Sequence, residues 1–232
     1  MKTYKDEWEQ SYTNADNFLF YPDYNIIWFV AKFVKRRIGI NEYKQMRDYH
    51  TALDLGCGIG SNMIFLNDYG FDAYGIDLSE VAIEFAKKRL ALECNGNDGG
   101  CLSDNIFQAS ADSLPFDDNR FDFIVSHGVL DSMPLAIAKG AFTEAHRVLR
   151  ENGLFYTSLI CSDGIRYPIE FSGEVVVDTP HEKGTVQLYY NWSLINEMVG
   201  DKFRIIEGKL TTEQWHSCTA VSKRYSVVLE KK

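Results

Sequence analysis

An acidic residue followed by alternating glycines marks the most informative stretch of this sequence, residues 54–60 (DLGCGIG). The preceding TALDL predicts a buried strand, and SNMIFLNDY after it predicts a helix. Alternating glycines let the backbone turn sharply and approach a ligand closely, although a plain strand-to-helix turn is the alternative. Because ligands of open α/β sheets bind at the carboxyl ends of strands, the stretch is a candidate binding loop. The candidate binding residues in it are Asp54, Gly56, Cys57, Gly58 and Gly60.

The glycine spacing differs from the dinucleotide fingerprint G-x-G-x-x-G, which seats a pyrophosphate on a helix N-terminus. The third glycine comes one residue early, and Ser61 takes the place of the fingerprint's last glycine. The Asp54 carboxylate would repel a pyrophosphate, whereas it suits a ligand with a cationic amino-acid end. These residues therefore favour S-adenosylmethionine over NAD.

Two further acidic residues follow predicted strands. Asp77 ends the strand FDAYGID, where a carboxylate can accept hydrogen bonds from ribose hydroxyls; the alternative is a charge at the start of the next helix. Asp112 and Ser113 follow the strand IFQAS, where an aspartate can accept from an adenine amino group. The alternative for this pair is a capped turn.

Short apolar runs alternate with amphipathic runs up to about residue 161, which predicts a parallel, doubly wound sheet. The run AKGAFTEAHRVL predicts a helix that stops at Asn152-Gly153, a typical left-handed terminus. Beyond it, EVVVD and GTVQLYY are β-like, WSLINEMVG predicts a helix, and KFRIIEGKL and RYSVVLEK predict strands. We interpret this later part as an insertion within one domain, since no linker separates it.

Composition restricts the partners. The formal charge is −9, which disfavours nucleic acid because that affinity depends on neutralising phosphates. The basic residues at 32 and 35–37 are interpreted as the solvated face of an amphipathic stretch. No apolar run approaches the roughly 20 residues of a membrane span, and the polar N-terminus does not resemble a signal peptide. We therefore expect a cytoplasmic protein without a membrane or nucleic-acid partner.

The five cysteines are widely spaced and contain no C-x-x-C pair. This pattern suits a reducing compartment and argues against a disulfide framework and against a zinc site. We predict no metal.

Four segments, in this order and spacing, resemble the successive motifs of the class I S-adenosylmethionine-dependent methyltransferases, in the branch acting on small molecules. They are LDLGCGIGSN, YGIDLSEVAIEFAKKR, ADSLPFDDNRFDFIVSHGVLDSMP and EAHRVLRENGLFYTSLI. The resemblance implies an α/β fold with a Rossmann-like, mostly parallel seven-stranded sheet, helices on both faces, an antiparallel C-terminal strand and an insertion after the fifth strand. It also implies one domain over 1–232, with an N-terminal helical lid over 1–45, a cofactor-binding core over 50–160 and an acceptor-side insertion over 161–190.

The resemblance further implies S-adenosylmethionine as cofactor, S-adenosylhomocysteine as product, and a small-molecule acceptor such as a sugar or another polar metabolite. The implied cofactor contacts are Asp54, Gly56, Cys57, Gly58, Gly60, Asp77, Leu78, Asp112, Ser113, Ser126 and His127. The opening EWEQSYTNADNFLFYP is similar to segments that fold over the cofactor in related enzymes, some of which modify sugars or surface polysaccharide precursors. The candidate lid residues are Trp8, Tyr12, Phe20 and Tyr21, for which ordinary core packing is the alternative.

The acceptor side departs from the family pattern, because many members carry histidine where this chain has Asp131. His127 and Asp131 are candidate catalytic residues, since a hydroxyl or amine acceptor benefits from a base; a sulfur or carboxylate acceptor needs little beyond positioning. Arg166 is either a solvated loop residue or a clamp for an anionic acceptor group. The candidate substrate-binding residues are Tyr12, Phe20, Tyr21, Arg166 and Tyr167. Two alternatives are an NAD-dependent oxidoreductase, for which no Tyr-x-x-x-Lys dyad is present, and a non-catalytic nucleoside-binding protein.

Overall fold

Apolar runs form the central strands and are buried on both of their faces. In the strand Thr51–Leu55 every residue after the first is buried, and in Phe121–His127 the first six are buried. Continuously buried strands are typical of parallel sheets that helices cover on both sides. The structure, a computed structural model, describes residues 4–14, 17–92, 101–164, 167–179, 182–214 and 221–232.

The described residues form helices and strands in regular alternation through the middle of the chain. The helices are α1 (Lys5–Thr13), α2 (Tyr24–Phe29, continued by a π-helical turn Val30–Val34), α3 (Ser61–Asp68), α4 (Glu80–Leu92), α5 (Leu135–Val148) and α6 (Trp192–Val199), with a 3₁₀ turn at Leu102–Asn105. The strands are β1 (Lys35–Arg37), β2 (Tyr43–Gln45), β3 (Thr51–Leu55), β4 (Asp72–Asp77), β5 (Ile106–Gln108), β6 (Phe121–His127), β7 (Leu149–Cys161), β8 (Gly173–Val176), β9 (Val186–Tyr189), β10 (Phe203–Gln214) and β11 (Val221–Lys231).

Seven strands make one sheet in the order β10-β11-β7-β6-β3-β4-β5. The pairs from β5 to β7 are all parallel, whereas β11 runs antiparallel to both of its neighbours. The predicted mostly parallel, seven-stranded sheet with an antiparallel C-terminal strand is therefore confirmed. The strand order reverses between β3 and β6, and this reversal leaves a crevice at their carboxyl ends. Two antiparallel hairpins, β1–β2 and β8–β9, lie outside this sheet.

Helices cover both faces of the sheet. Helices α5 and α6 contribute to one apolar cluster, and α2, α3 and α4 contribute to the other. Phe29 of α2 is fully buried, and its ring stacks on Tyr156 of β7 with the ring centroids 5.4 Å apart. Burying a side chain of this size contributes about 1.5–3 kcal/mol. Helix α2 therefore anchors the chain directly after residues 17–24.

The end of α5 corrects the sequence prediction. The helix ends at Val148, and β7 begins at Leu149, so the helix does not continue to Asn152-Gly153. Asn152 does adopt a left-handed conformation, with φ at 62°, but it lies near the start of strand β7 and not at the end of a helix. A Cβ atom on Gly153 would lie 2.8 Å from the carbonyl oxygen of Arg150. The Asn-Gly signal thus marks a tight irregularity in a strand instead of a helix terminus.

The cysteines also differ from expectation. Cys57 and Cys161 are free and buried, but Cys101 is disulfide-bonded, which the expectation of a reducing compartment did not predict. An odd cysteine count prevents complete pairing and still allows one bridge. In the described part of the chain, no helix has the length and apolar character to span a bilayer.

Candidate functional site

A cavity of about 670 Å³ lies at the carboxyl ends of β3, β4 and β6, within the size range of small-ligand sites. The glycine turn, the end of β4, the loop after β5 and the turn after β6 line it. Residues 17–24, called here the roof segment, line it together with α1. The residues in the lining that the sequence predicted are Trp8, Tyr12, Phe20, Tyr21, Gly56, Cys57, Gly58, Asp77, Leu78 and His127.

The glycine turn accepts no side chain at two of its positions. Gly56 has a φ of 79°, and a Cβ atom there would lie 2.3 Å from a methyl carbon of Val129. Gly58 has a φ of 51°, and its Cβ would lie 2.8 Å from the Tyr12 hydroxyl. Both the left-handed backbone and the close neighbours therefore require glycine. The turn presents bare backbone to the cavity, while Gly60 starts α3 and lies outside the lining.

Asp54 lies beneath this turn and does not line the cavity. Its side chain is 1% exposed and hydrogen-bonds with Asn62. Its Oδ2 atom has no hydrogen-bond partner among the described residues. Burial, with a smaller contribution from the charge of Asp77, raises the pKa of Asp54 to about 7. An unpartnered buried carboxylate costs free energy, so this acid is a candidate for interaction with a ligand.

Asp77 lines the cavity and also organises the backbone around it. Its Oδ2 accepts the N–H of Gly58, and its Oδ1 accepts the N–H of Ser79, each at 2.9 Å. Burial raises its pKa to about 6, the charge of Glu9 adds to this, and the backbone hydrogen bonds oppose it. Glu9 of α1 accepts from the Ser79 hydroxyl at 2.8 Å and from the N–H of Glu80 at 2.7 Å. Helix α1 is thus fastened to the start of α4, beside Asp77.

The roof segment is fastened to α3 and α4 by polar contacts. Arg89 donates to the carbonyl of Phe20 at 2.8 Å and to the Ser61 hydroxyl at 2.7 Å. The N–H of Asp23 donates to Oδ1 of Asn62 at 3.1 Å. Since Ser61 and Asn62 directly follow the glycine turn, the same helix turn supports both the glycine turn and the roof segment.

Tyr12 and Tyr21 occupy different environments in the lining. The Tyr12 hydroxyl faces Gly58. Its pKa is raised well above the usual value, by burial first and then by neighbouring acidic groups that include Asp77. Tyr21, in contrast, is 85% exposed. Tyr12 therefore lies against the glycine turn, and Tyr21 lies at the cavity mouth.

His127, at the end of β6, has an acidic partner from the roof segment. Its Nδ1 lies 3.2 Å from Oδ1 of Asp23 and 3.4 Å from the Tyr156 hydroxyl. Burial lowers the pKa of His127, and the Arg224 charge acts in the same direction; Asp23 and Asp131 oppose them. The net effect favours a neutral imidazole near neutral pH.

The structure corrects the position expected for Asp131. Asp131 is buried and absent from the cavity lining. Its Oδ2 accepts the N–H of Ile160 at 2.7 Å and pairs with Arg224 of β11 at 2.5 Å. Gly128 lies between His127 and this pair in sequence, with a φ of 69°, so the chain turns and directs the carboxylate away from the histidine. Asp131 connects the turn after β6 to β7 and β11.

Several other predicted residues lie outside the cavity. Asp112 and Ser113 are exposed, and Ser110 and Ala111 line the cavity in their place. Ser126 is buried, and its hydroxyl has no partner among the described residues. Tyr167 lines a separate cavity of about 420 Å³ beside the β8–β9 hairpin, where it stacks on Phe171. Arg166 lies outside the described residues.

Sequence reasoning missed three residues that organise the site: Glu9, Asp23 and Asn62. Each acts through a contact that is distant in sequence, with α4, β6 and the roof segment respectively. A usable signal existed for Asp23, because it precedes a helix as an N-cap aspartate and accepts the N–H of Asn25 at 2.7 Å. In the described ranges no group of three or more histidine, cysteine, aspartate or glutamate side chains has an arrangement that could hold a metal ion.

Comparison with known proteins finds similarity in the middle of the chain. The profile of a family described as "Methyltransferase domain" matches residues 53–157. The "Uncharacterized methyltransferase YodH" of Bacillus subtilis is 31% identical over 102 residues, which cover 44% of this chain and 40% of that protein. The chain spans about two fifths of the length of such curated relatives.

Solved structures extend the similarity beyond this region. A SAM-dependent methyltransferase from Methanosarcina mazei superposes with a TM-score of 0.65 at 21% identity, over 80% of this chain and 93% of that one. The 1,6-didemethyltoxoflavin-N1-methyltransferase of Burkholderia thailandensis, solved with 1,6-didemethyltoxoflavin and S-adenosylhomocysteine, superposes with a TM-score of 0.68 at 13% identity, over 98% of this chain and 87% of that one. At these identities the similarity establishes a shared fold.

Proposed function

We propose that this chain methylates a small polar metabolite with S-adenosylmethionine. Its fold is that of solved S-adenosylmethionine-dependent methyltransferases, and residues 53–157 match a family described as "Methyltransferase domain". One observation carries the proposal. The Asp54 carboxylate, whose Oδ2 atom has no hydrogen-bond partner among the described residues, is buried beneath left-handed glycines at the carboxyl ends of the parallel strands. Sugars and amines are the first acceptors to test.

The residues around the glycine turn fit S-adenosylmethionine. The bare backbone at Gly56 and Gly58 leaves room for a ligand, and the acid beneath it suits the positive amino group of an amino-acid end. Asp77 lines the cavity where a ribose can be bound through its hydroxyls. Asp54 and the glycine turn would hold the amino-acid end, and Asp77 and Leu78 would hold the ribose. The Asp54 carboxylate beneath the glycine turn would repel the pyrophosphate of NAD.

When bound, S-adenosylmethionine supplies a methyl group that its positively charged sulfur already activates for displacement. The protein then has to position the acceptor and exclude water, and the roof segment and α1 line the cavity where they can do both. His127 is the side chain in the lining suited to take a proton from a hydroxyl or amine, because a neutral imidazole is a base near neutral pH.

A small acceptor is supported by the cavity and by the insertion. The Burkholderia enzyme of the same fold is named for methylating a small heterocycle. Glu182 lies between β8 and β9, and it lines both the main cavity and the smaller cavity beside the β8–β9 hairpin. We therefore propose residues 161–190 as the acceptor-side insertion. Of the predicted lid over 1–45, α1 and the roof segment line the cavity and would cover it, whereas α2 packs in the core.

The test begins with binding. The thermal unfolding midpoint of the purified protein is measured with S-adenosylmethionine or S-adenosylhomocysteine at about 100 times the dissociation constant that calorimetry gives, and with NAD at the same concentration. A ligand at this excess stabilises the fold by about 2.7 kcal/mol, or roughly 5–10 °C for a chain of this size. We expect this shift with both sulfur nucleosides and none with NAD. Release of S-adenosylhomocysteine is then followed with a panel of sugars, nucleotide sugars and amines.

Two results would contradict the proposal. A shift with NAD and none with the sulfur nucleosides would support the oxidoreductase. Tight binding of S-adenosylmethionine without turnover on any acceptor class of the panel would support a nucleoside-binding protein that lacks catalysis.

A further inference from the structure

We propose that Asp23, carried by the roof segment, is a positioning residue that holds His127 in the tautomer whose Nε2 takes the acceptor's proton. The inference rests on the proposed function. It gives the role of orienting His127 to Asp23 and not to Asp131, which is nearer in sequence.

The Asp23 carboxylate is held in place from several directions. Its Oδ1 lies 3.2 Å from Nδ1 of His127 and accepts the N–H of Asn25 at 2.7 Å, which caps α2. Its own N–H donates to Asn62 at 3.1 Å. In this arrangement the carboxylate meets the imidazole from a backbone that hydrogen bonds hold on both sides of residue 23.

Two groups compete for the same ring nitrogen, and they favour opposite tautomers. An ionised carboxylate can only accept a hydrogen bond, so Asp23 requires the proton on Nδ1. The Tyr156 hydroxyl, 3.4 Å from Nδ1, can donate and would then require the proton on Nε2. The carboxylate contact is the shorter of the two and carries a charge. With the proton on Nδ1, Nε2 has its lone pair available for the acceptor.

The remaining charges around His127 leave Asp23 as the effective carboxylate. Asp131 also faces the ring electrostatically, but it pairs with Arg224 at 2.5 Å. The opposite charges of that pair largely cancel at the histidine. Four groups face the ring: Asp23, Asp131, Arg224 and Tyr156. Among them, only Asp23 both contacts the ring directly and carries a charge that none of the other three neutralises.

The proton transfer balances without any further reactant. The acceptor oxygen or nitrogen forms its bond to the methyl carbon while the carbon–sulfur bond breaks, and the bonding electrons of that bond remain on sulfur. The acceptor's proton moves to Nε2 of His127. The resulting imidazolium is stabilised by Asp23, and its proton passes to water when the cavity opens.

In this arrangement, the segment that covers the cavity also orients the base, His127. Asp23 belongs to the roof segment that Arg89 and Asn62 fasten to α3 and α4. When the roof segment is displaced, His127 loses the carboxylate and retains Tyr156 as its neighbour. A base oriented in this way is ready only while the cavity is covered.

The decisive variant is Asp23→Asn, because asparagine is also a good N-cap and α2 keeps its start. The ring nitrogens of histidine are observed by ¹⁵N NMR in the protein without ligand, and a His127→Ala spectrum assigns the His127 signals among the five histidines. We expect Nδ1–H in the wild type and a change towards Nε2–H in Asp23→Asn. The pKa of His127 should fall on the order of one unit, because an attractive charge is lost.

Kinetics provide the second measurement. As the pKa of the base falls, the acidic limb of the kcat/KM profile should move to lower pH. The plateau kcat should decrease at least about tenfold, a part of the 10²–10⁴-fold that a general base contributes. The dissociation constant for S-adenosylhomocysteine should stay within about threefold. The matched control is Asp48→Asn, which removes an exposed aspartate that also lies 3.2 Å from a histidine, His50; it should change none of these quantities.

Two further variants separate positioning from folding. Asp23→Ser keeps a capping side chain without the charge and should reproduce the tautomer change, whereas Tyr156→Phe should leave the wild-type tautomer in place. An unchanged tautomer and pKa in both Asp23 variants would overturn the inference, even if turnover falls. The NMR measurement needs no acceptor, so it tests the Asp23–His127 arrangement separately from the proposed function. If the wild-type protein carries its proton on Nδ1 but methylates no acceptor, the proposed function is refuted and the arrangement is still supported.

Discussion

Replacing Asp54 with asparagine should stabilise the protein above neutral pH. Burial is the main cause that raises the Asp54 pKa from 3.8 to about 7. Between these values the folded protein holds a proton that the unfolded chain has released. Folding therefore takes up a proton in this window, and the stability contributed by this group is lost as the pH rises from about 4 through 7. At pH 8 the rise in pKa corresponds to a penalty of about 4 kcal/mol as an upper limit, which a neutral asparagine avoids.

Urea unfolding of both proteins at pH 4, 6 and 8 measures the effect. The variant and the wild type should agree near pH 4, and the variant should become more stable by about 1–4 kcal/mol at pH 8. The same variant should bind S-adenosylmethionine more weakly, since the acid beneath the glycine turn is gone. A stability difference that does not change with pH would refute the reasoning.

Asp122 is a buried aspartate whose pKa is shifted in the opposite direction to that of Asp54, and it therefore serves as a control. Burial raises its pKa, but hydrogen bonds from the backbone of His50 and Thr51 and the contact with Arg150 outweigh this and lower it. Its folded-state pKa is depressed, so its contribution to stability is present above the unfolded value and is lost as the pH falls. Asp122→Asn should therefore destabilise the protein most at neutral pH and least in acid.

Two further predictions concern the glycine turn and Asp77. Asp77→Ala should raise the dissociation constant of S-adenosylmethionine at least about tenfold, because charge-assisted hydrogen bonds contribute on the order of 1.5–3 kcal/mol; a collapse of apo stability in urea would instead favour a mainly structural role through Gly58 and Ser79. Gly56→Ala should destabilise the protein more than Gly128→Ala. Both glycines are left-handed, a conformation that costs about 1–2 kcal/mol for alanine. The new Cβ, however, would lie 2.3 Å from its nearest neighbour at residue 56 and 3.7 Å from its nearest neighbour at residue 128. Equal unfolding free energies of the two variants would show that the contact at Gly56 relaxes without cost.

The fold and part of the cavity lining, namely the glycine turn and Asp77, could be predicted because their signals are local. The Gly56–Gly58 turn and Asp77 directly follow apolar runs, and in a parallel sheet the ends of such runs meet at one edge. Asp77 therefore reaches the cavity lining as predicted. The same holds for His127 at the end of β6.

The acceptor side depends on contacts that no local pattern encodes. Asp131 is four residues from His127, but the left-handed Gly128 turns the chain between them and Arg224 of β11 takes the carboxylate. Asp23 is far from His127 in sequence and reaches it only because α2 anchors the roof segment on the sheet. Asp112 packs closely against Gly140 of α5, since a Cβ added at Gly140 would lie 2.6 Å from the Cβ of Asp112. The sequence around Asp112 is also typical of a capped turn, so it did not reveal this packing.

The position of β11 has a consequence for how the protein is made. This strand is synthesised after every other described element, yet it lies inside the sheet, between β7 and β10. Until it emerges from the ribosome, residues 154–161 of β7 present an open, apolar edge, the kind of surface that pairs with other chains. The buried Asp131 also waits for Arg224, which arrives on the same strand. Translation that stalls before residue 221 would therefore leave a nascent chain with a complete glycine turn and an unpaired strand edge that favours aggregation.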